Sequence, residues 1–133
     1  MLLSADADRK TFPSIDGYSI AEHIYSGFRT SVYRAVQQAS QRPVVIKLLQ
    51  LAYPSASDLA QFHNQYHITQ TLSAPGIVQS LGLEPWKNSY ALVMEDFQGV
   101  ALKEYTQNHT FSLTEILGIA IQMADILHTL SQH

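Results

Sequence analysis

The spacing of apolar positions along the sequence changes character several times, and each change marks a different element. Residues 1–17 are polar, with Pro13 and Gly17 as breakers, and read as a lead-in arm. From Tyr18 the pattern turns β-prone. Ile20, Ile24, Val32, Tyr33 and Val36 fall in runs interrupted at Ser26-Gly27, which predicts a hairpin. A turn near Ala39-Ser40-Gln41-Arg42 leads into Val44-Val45-Ile46-Lys47-Leu48-Leu49. That third strand is so continuously apolar that it is expected to be buried on both faces until Lys47.

The period then lengthens. Pro54-Ser55-Ala56-Ser57-Asp58 marks a helix start, with Ser55 as N-cap and Asp58 approximating a capping box. Leu59, Phe62, Tyr66 and Leu72 form one stripe down a helix of roughly four turns, which Ala74-Pro75-Gly76 ends. Two more strands follow, Ile77 to Leu83 and Tyr90 to Met94, joined by a turn around Lys87-Asn88. After Glu95-Asp96-Phe97-Gln98-Gly99 the pattern is helical: a short helix near Leu102 to Thr106, then a long one capped by Ser112, with Glu115 closing a second capping box. In the long helix Leu113, Ile116, Leu117, Ile119, Ala120, Ile121, Met123, Ala124, Ile126, Leu127 and Leu130 cover most of the circumference. A helix apolar nearly all round belongs in a core, yet little sequence follows it up to His133. The layout is α+β, a five-stranded antiparallel sheet carrying one packed helix, with two helices after it.

Composition narrows the classes. The chain has 133 residues, enough for one domain with a buried core. A net charge of −3 with only 8 Lys plus Arg argues against nucleic-acid binding and against a membrane surface. Without cysteine, neither a disulfide scaffold nor a thiolate metal cluster can form. Met1-Leu2-Leu3-Ser4-Ala5-Asp6 lacks a basic leader, and Gln122, Asp125 and His128 interrupt the most apolar stretch, so a cytoplasmic location without a membrane span is expected.

Two features carry chemistry. The hairpin Ile24-Tyr25-Ser26-Gly27-Phe28-Arg29-Thr30-Ser31-Val32-Tyr33 can bring backbone close to an anion. Lys47, at the end of an apolar run, supplies a fixed positive charge that is costly to bury without a partner. In this order and spacing they resemble the N-terminal lobe of a protein kinase, from about Tyr18 onward. Val44-Val45-Ile46-Lys47 resembles the V-A-I-K strand, and Leu92-Val93-Met94-Glu95-Asp96-Phe97 the fifth strand entering the hinge. More narrowly, Ser26 to Ala35 with Pro43 to Lys47 is similar to the serine/threonine kinase domain that opens large bacterial signalling proteins, followed there by ATPase and histidine-kinase regions.

The resemblance implies residues 18–97 as the lobe and hinge and 98–133 as the start of a second lobe, truncated before its catalytic loop. It implies ATP as ligand: Lys47 on the α/β-phosphates, Ile24, Val32 and Val45 as the roof over adenine, Met94 as gatekeeper, and the Glu95 and Phe97 backbone on the base edge. Three departures stand against full kinase chemistry. Anchored on Val32, the glycine-rich pattern places Tyr25, Gly27 and Thr30 at its glycine positions, so only Gly27 survives. Gln65 occupies the place of the helix glutamate that pairs with the lysine, and no Glu lies between Leu48 and Leu83. Asp58, about 10 Å away along the helix axis, cannot replace it. Finally, no H-R-D-x-x-x-x-N, D-F-G or A-P-E string occurs, so the catalytic base and the magnesium ligands are missing and this chain alone is expected to be inactive.

Other constellations weigh less. His63 and His67 have metal-ligand spacing but no third ligand, and Asn64 replaces the glutamate of a zinc protease motif. Asp125 and His128 read as a polar face, Trp86-Lys87 as a partly buried lid, and Arg29 as solvated. Two functions remain: the ATP-binding lobe of a serine/threonine kinase, or a non-catalytic, pseudokinase-like docking module. In either case the apolar helix 112–131 is expected to seek the second lobe, another protein chain or a second copy of itself.

Overall fold

A computed structural model describes residues 11–72 and 74–132, so the first ten residues of the lead-in arm and His133 lie outside the described residues. The sheet comprises β1 (Tyr18–Ser26), β2 (Thr30–Gln37), β3 (Pro43–Leu49), β4 (Ser80–Trp86) and β5 (Ser89–Glu95). It is antiparallel throughout, in the order β1-β2-β3-β5-β4. Helix α1 (Ala56–Thr71) connects β3 to β4, and α2 (Leu102–Asn108) and α3 (Leu113–Ser131) follow β5. The predicted sequence of elements is therefore the observed one.

The central strand divides its side chains between two layers. Val44, Ile46 and Leu48 join Ile15, Ala35, Ala91 and Val93 in a buried cluster on one face of the sheet. On the other face, Leu49 and Leu92 pack with Phe62 of α1, flanked by Leu59, Tyr66, Leu83, Tyr90 and Met94. The expectation that β3 is buried on both faces up to Lys47 is corrected here. Val45 is only half-buried, because α1 covers the sheet nearer Leu49 and leaves the Val45–Lys47 stretch along an open cleft.

Helix α1 begins where the sequence places it. Ser55 Oγ accepts from the Asp58 amide at 3.1 Å, and the Asp58 carboxylate accepts from the Ser55 amide at 2.8 Å, completing the capping box. Its far end is fastened to β4: Gln70 Nε2 donates to Ser80 O at 2.8 Å, Gln79 Nε2 donates to Leu72 O at 2.7 Å, and the Thr69 and Ser80 hydroxyls share a hydrogen bond. These contacts explain a second correction. The fourth strand starts at Ser80 rather than Ile77, since the Ile77 amide closes a turn on Ala74 O and the Gln79 side chain bonds Thr69 O and Leu72 O at the helix exit. Pro85 is accommodated in β4 because that strand lies at the sheet edge.

The turn after α1 depends on Gly76, whose φ of +84° suits glycine and where a Cβ would come within 2.8 Å of Ile126 Cδ1 on α3. That close approach seats α3 against the 74–76 turn. The rest of α3 is bare: Leu113, Ile116, Leu117, Ile121, Met123 and Leu127 are exposed. Of its predicted capping box only one half forms, Ser112 Oγ accepting from the Glu115 amide. The helix is also long and apolar enough, at a mean hydropathy of 1.3 across 18 residues, to cross a membrane by length and composition alone, so the interruptions at Gln122, Asp125 and His128 do not by themselves exclude a span.

Truncating Leu92 in the shared layer should cost about 2–5 kcal/mol in urea unfolding for Leu92→Ala. The Asp58 carboxyl is held below its ordinary 3.8, first by the Ser55 amide, then by the Ser55 hydroxyl, with Arg29 adding to the effect. A carboxyl lowered on folding contributes stability that is present above its ordinary value and is lost as the pH falls through the folded value. Urea midpoints of the parent and Asp58→Asn should therefore differ at about pH 6 and converge towards about pH 2.

Candidate functional site

Cross-strand register lines up the sequence-predicted residues on the open face. Val32 stands opposite Lys47, and Lys47 opposite Leu92, with Tyr25 extending the row on β1. One step along, Arg34, Val45 and Met94 form a parallel row that begins at Glu22. Cross-strand partners share a face, so Val32, Val45, Lys47 and Met94 border one cleft. Ile24 sits at a register irregularity in β1 beside them and is 42% exposed.

Lys47 reaches across the cleft to α1. Its Nζ donates to Gln65 Oε1 at 3.0 Å and lies 5.6 Å from the centre of the Phe62 ring. Burial holds the ammonium below its ordinary 10.5. The partner predicted at position 65 is thus in place, and it is neutral.

The hairpin tip is tied back. The Gln50 amide donates to Arg29 O at 2.7 Å, while Gln50 Nε2 donates to Ser26 Oγ at 2.8 Å and also to Ser31 Oγ. Arg29 is exposed, as the sequence suggests, but its guanidinium is also ion-paired with the buried Asp58 at the start of α1. The reason is local: the chain leaving β3 passes directly under the tip. A Cβ at Gly27 would sit 2.7 Å from Tyr25 Oη, so a larger residue there would push the exposed Tyr25 ring aside. The Tyr25 side chain therefore lies against the surviving glycine of the loop.

Arg34 escaped sequence reasoning, although its place two residues after Val32 puts it on the same face. Its guanidinium donates to Glu22 at 3.2 Å and to Gly99 O at 2.9 Å, and its Nε stands 3.4 Å from the Asp96 carboxylate. One side chain thus joins β1, β2 and the strap after β5. Within that strap, the Glu95 amide donates to Gln79 O at 3.0 Å and the Glu95 carboxylate accepts from the Gln79 amide at 2.9 Å. Phe97 is exposed, and its ring lies so close over Gly99 that a Cβ there would be 2.0 Å away. Behind the strap is a cavity of about 270 Å³ lined by Gly76, Ile77, Val78, Glu95 and Phe97.

The remaining candidates stay apart from this cleft. His63 and His67 are exposed, His63 packing edge-on to Tyr90, and no group of three metal-ligating side chains occurs among the described residues. Trp86 is partly buried as expected, its Nε1 donating to Ser14 O at 3.1 Å with Lys87 Nζ 4.6 Å from the ring centre.

Three comparisons bear on this arrangement. The family model for protein tyrosine and serine/threonine kinases matches residues 18–133. The chain is 30% identical over 112 residues to serine/threonine-protein kinase PrkC of Bacillus subtilis (strain 168), a match covering 83% of this chain but 17% of that protein. A solved structure, "PpkA-294 apo form", superposes with a TM-score of 0.60 at 21% identity, covering 71% of this chain and 41% of the other.

Removing the Arg34 fork leaves the nearly buried Asp96 carboxylate without its cation. Arg34→Met should lower unfolding stability by about 1–3 kcal/mol. A double-mutant cycle with Asp96→Asn should return a coupling of roughly 1 kcal/mol. A cycle that closes to zero would show the pair to be incidental.

Proposed function

This chain belongs to the protein tyrosine and serine/threonine kinase family, and from that premise we propose that it is the ATP-binding lobe of a serine/threonine protein kinase. The observation that carries the reading is Lys47 held at 3.0 Å from Gln65, on the same face as Val32, Val45 and Met94 and beside the strap after β5. In this reading Ile24, Val32 and Val45 cover the adenine ring, and Met94 limits the depth of its pocket. The Glu95 amide is committed to Gln79, so the base edge meets the Glu95 carbonyl and the Phe97 amide. Lys47 takes the α/β-phosphates, and Gly27 permits a close approach of the loop.

Phosphoryl transfer to a protein substrate is the proposed activity of the intact enzyme, to which this chain contributes ATP positioning in the cytoplasm. Kinases use magnesium with ATP, an ion that requires several oxygen donors. The side-chain oxygen that accepts from Lys47 is the neutral Gln65 Oε1, and the described residues hold no cluster of metal-ligating side chains. The described residues by themselves therefore assemble no octahedral oxygen set for magnesium. The neutral partner and the Tyr25-covered loop also favour a second reading, a non-catalytic docking module. Under both readings the bare face of α3 is covered by the second kinase lobe or by another chain.

Titration of the chain with a fluorescent ATP analogue separates the two. Saturable binding that falls about tenfold or more in Lys47→Ala, a loss on the scale of a charge-assisted contact, supports the ATP-binding lobe. Absence of binding at millimolar nucleotide leaves the docking module. For the α3 face, sedimentation should show association that rises with concentration and is relieved by Leu117→Glu with Ile121→Glu; a monodisperse monomer at high concentration would contradict it.

A further inference from the structure

The charges around the cleft do not cancel, and this constrains the form of the nucleotide. Lys47 takes part in none of the ion pairs among the described residues, and its side-chain acceptor is the Gln65 amide at 3.0 Å. The acids that could have neutralised it are held elsewhere. Asp58 is engaged by Arg29 and by Ser55, Asp96 is beside Arg34, and the Glu95 carboxylate accepts from the Gln79 amide. The sheet side of the cleft therefore keeps a full, half-buried positive charge without a carboxylate beside it.

Such a site answers differently to an anion and to its metal complex. A polyphosphate that arrives bare gains the whole attraction of the ammonium, undiminished by a neighbouring carboxylate. A divalent cation riding on the phosphates cancels part of that attraction. Among the described residues it also finds no carboxylate paired with Lys47 to enter its octahedral oxygen shell. Resting on the nucleotide-binding reading above, we infer that this chain takes a nucleoside di- or triphosphate as the free anion, without a bridging divalent cation. Position 65 sets that preference: a glutamate there would neutralise Lys47 and remove the advantage of the bare anion.

Calorimetric titration of the whole 133-residue chain with ADP and with ATP, in EDTA and in excess magnesium chloride, tests this directly. The expected result is an affinity in EDTA at least equal to that in magnesium. Gln65→Glu, checked for an unchanged melting temperature, should weaken binding in EDTA by about tenfold while affecting the magnesium titration less. Affinity that rises tenfold or more on adding magnesium to the parent chain would overturn the inference and leave the nucleotide-binding reading standing. No binding in either buffer would overturn both.

Discussion

The hydrogen bond from Lys47 Nζ to Gln65 Oε1 joins the middle of the sheet to the middle of its packed helix, and the cleft takes its form from that joint. Helix α1 is fixed at both ends as well. Arg29 holds Asp58 at its start, and Ser80 with Gln79 holds its last turn. Three separated attachments leave the helix little freedom to rotate or slide, since a shift that relieved one would strain the other two. In a kinase lobe with a charged lysine–glutamate pair, the central attachment is the strong one. Here it is a charge–neutral bond, and the ends carry more of the restraint.

The cleft is built from two rows of cross-strand neighbours. The row Tyr25, Val32, Lys47, Leu92 and Leu83 runs past the charged centre into the layer beneath α1. The row Glu22, Arg34, Val45 and Met94 runs along the strap side. Apolar and ionic positions thus alternate within a few ångströms. The pattern follows from β3, which sends Val44, Ile46 and Leu48 to one core and Val45, Lys47 and Leu49 to the other face.

Much of this was readable from residue order. The strands, the capped helix and the eighteen-residue separation of Lys47 from Gln65 are local or periodic signals, and the structure keeps them. What escaped were contacts between side chains distant in sequence. Arg29 pairs with a residue twenty-nine positions away and Arg34 with a carbonyl sixty-five away, distances at which spacing carries no information. The displaced start of β4 has the same origin: Ile77 and Val78 are β-prone, but the Gln79 side chain that follows them is bonded to Thr69 O and Leu72 O at the exit of α1. The burial of Val45 differs from expectation because a continuous apolar run looks alike whether a cleft or a core lies above it.

The Arg34 fork carries a consequence for descent. One guanidinium serves Glu22, Asp96 and Gly99 O at once, so an exchange at any of these positions alters the electrostatic surroundings of the others. Sister sequences that lose the arginine should then replace the acid at position 96 in the same lineage, and the acid at 22, being exposed, should drift more freely. Paired drift at 34 and 96, with independent drift at 22, is the evolutionary signature such a three-way joint imprints.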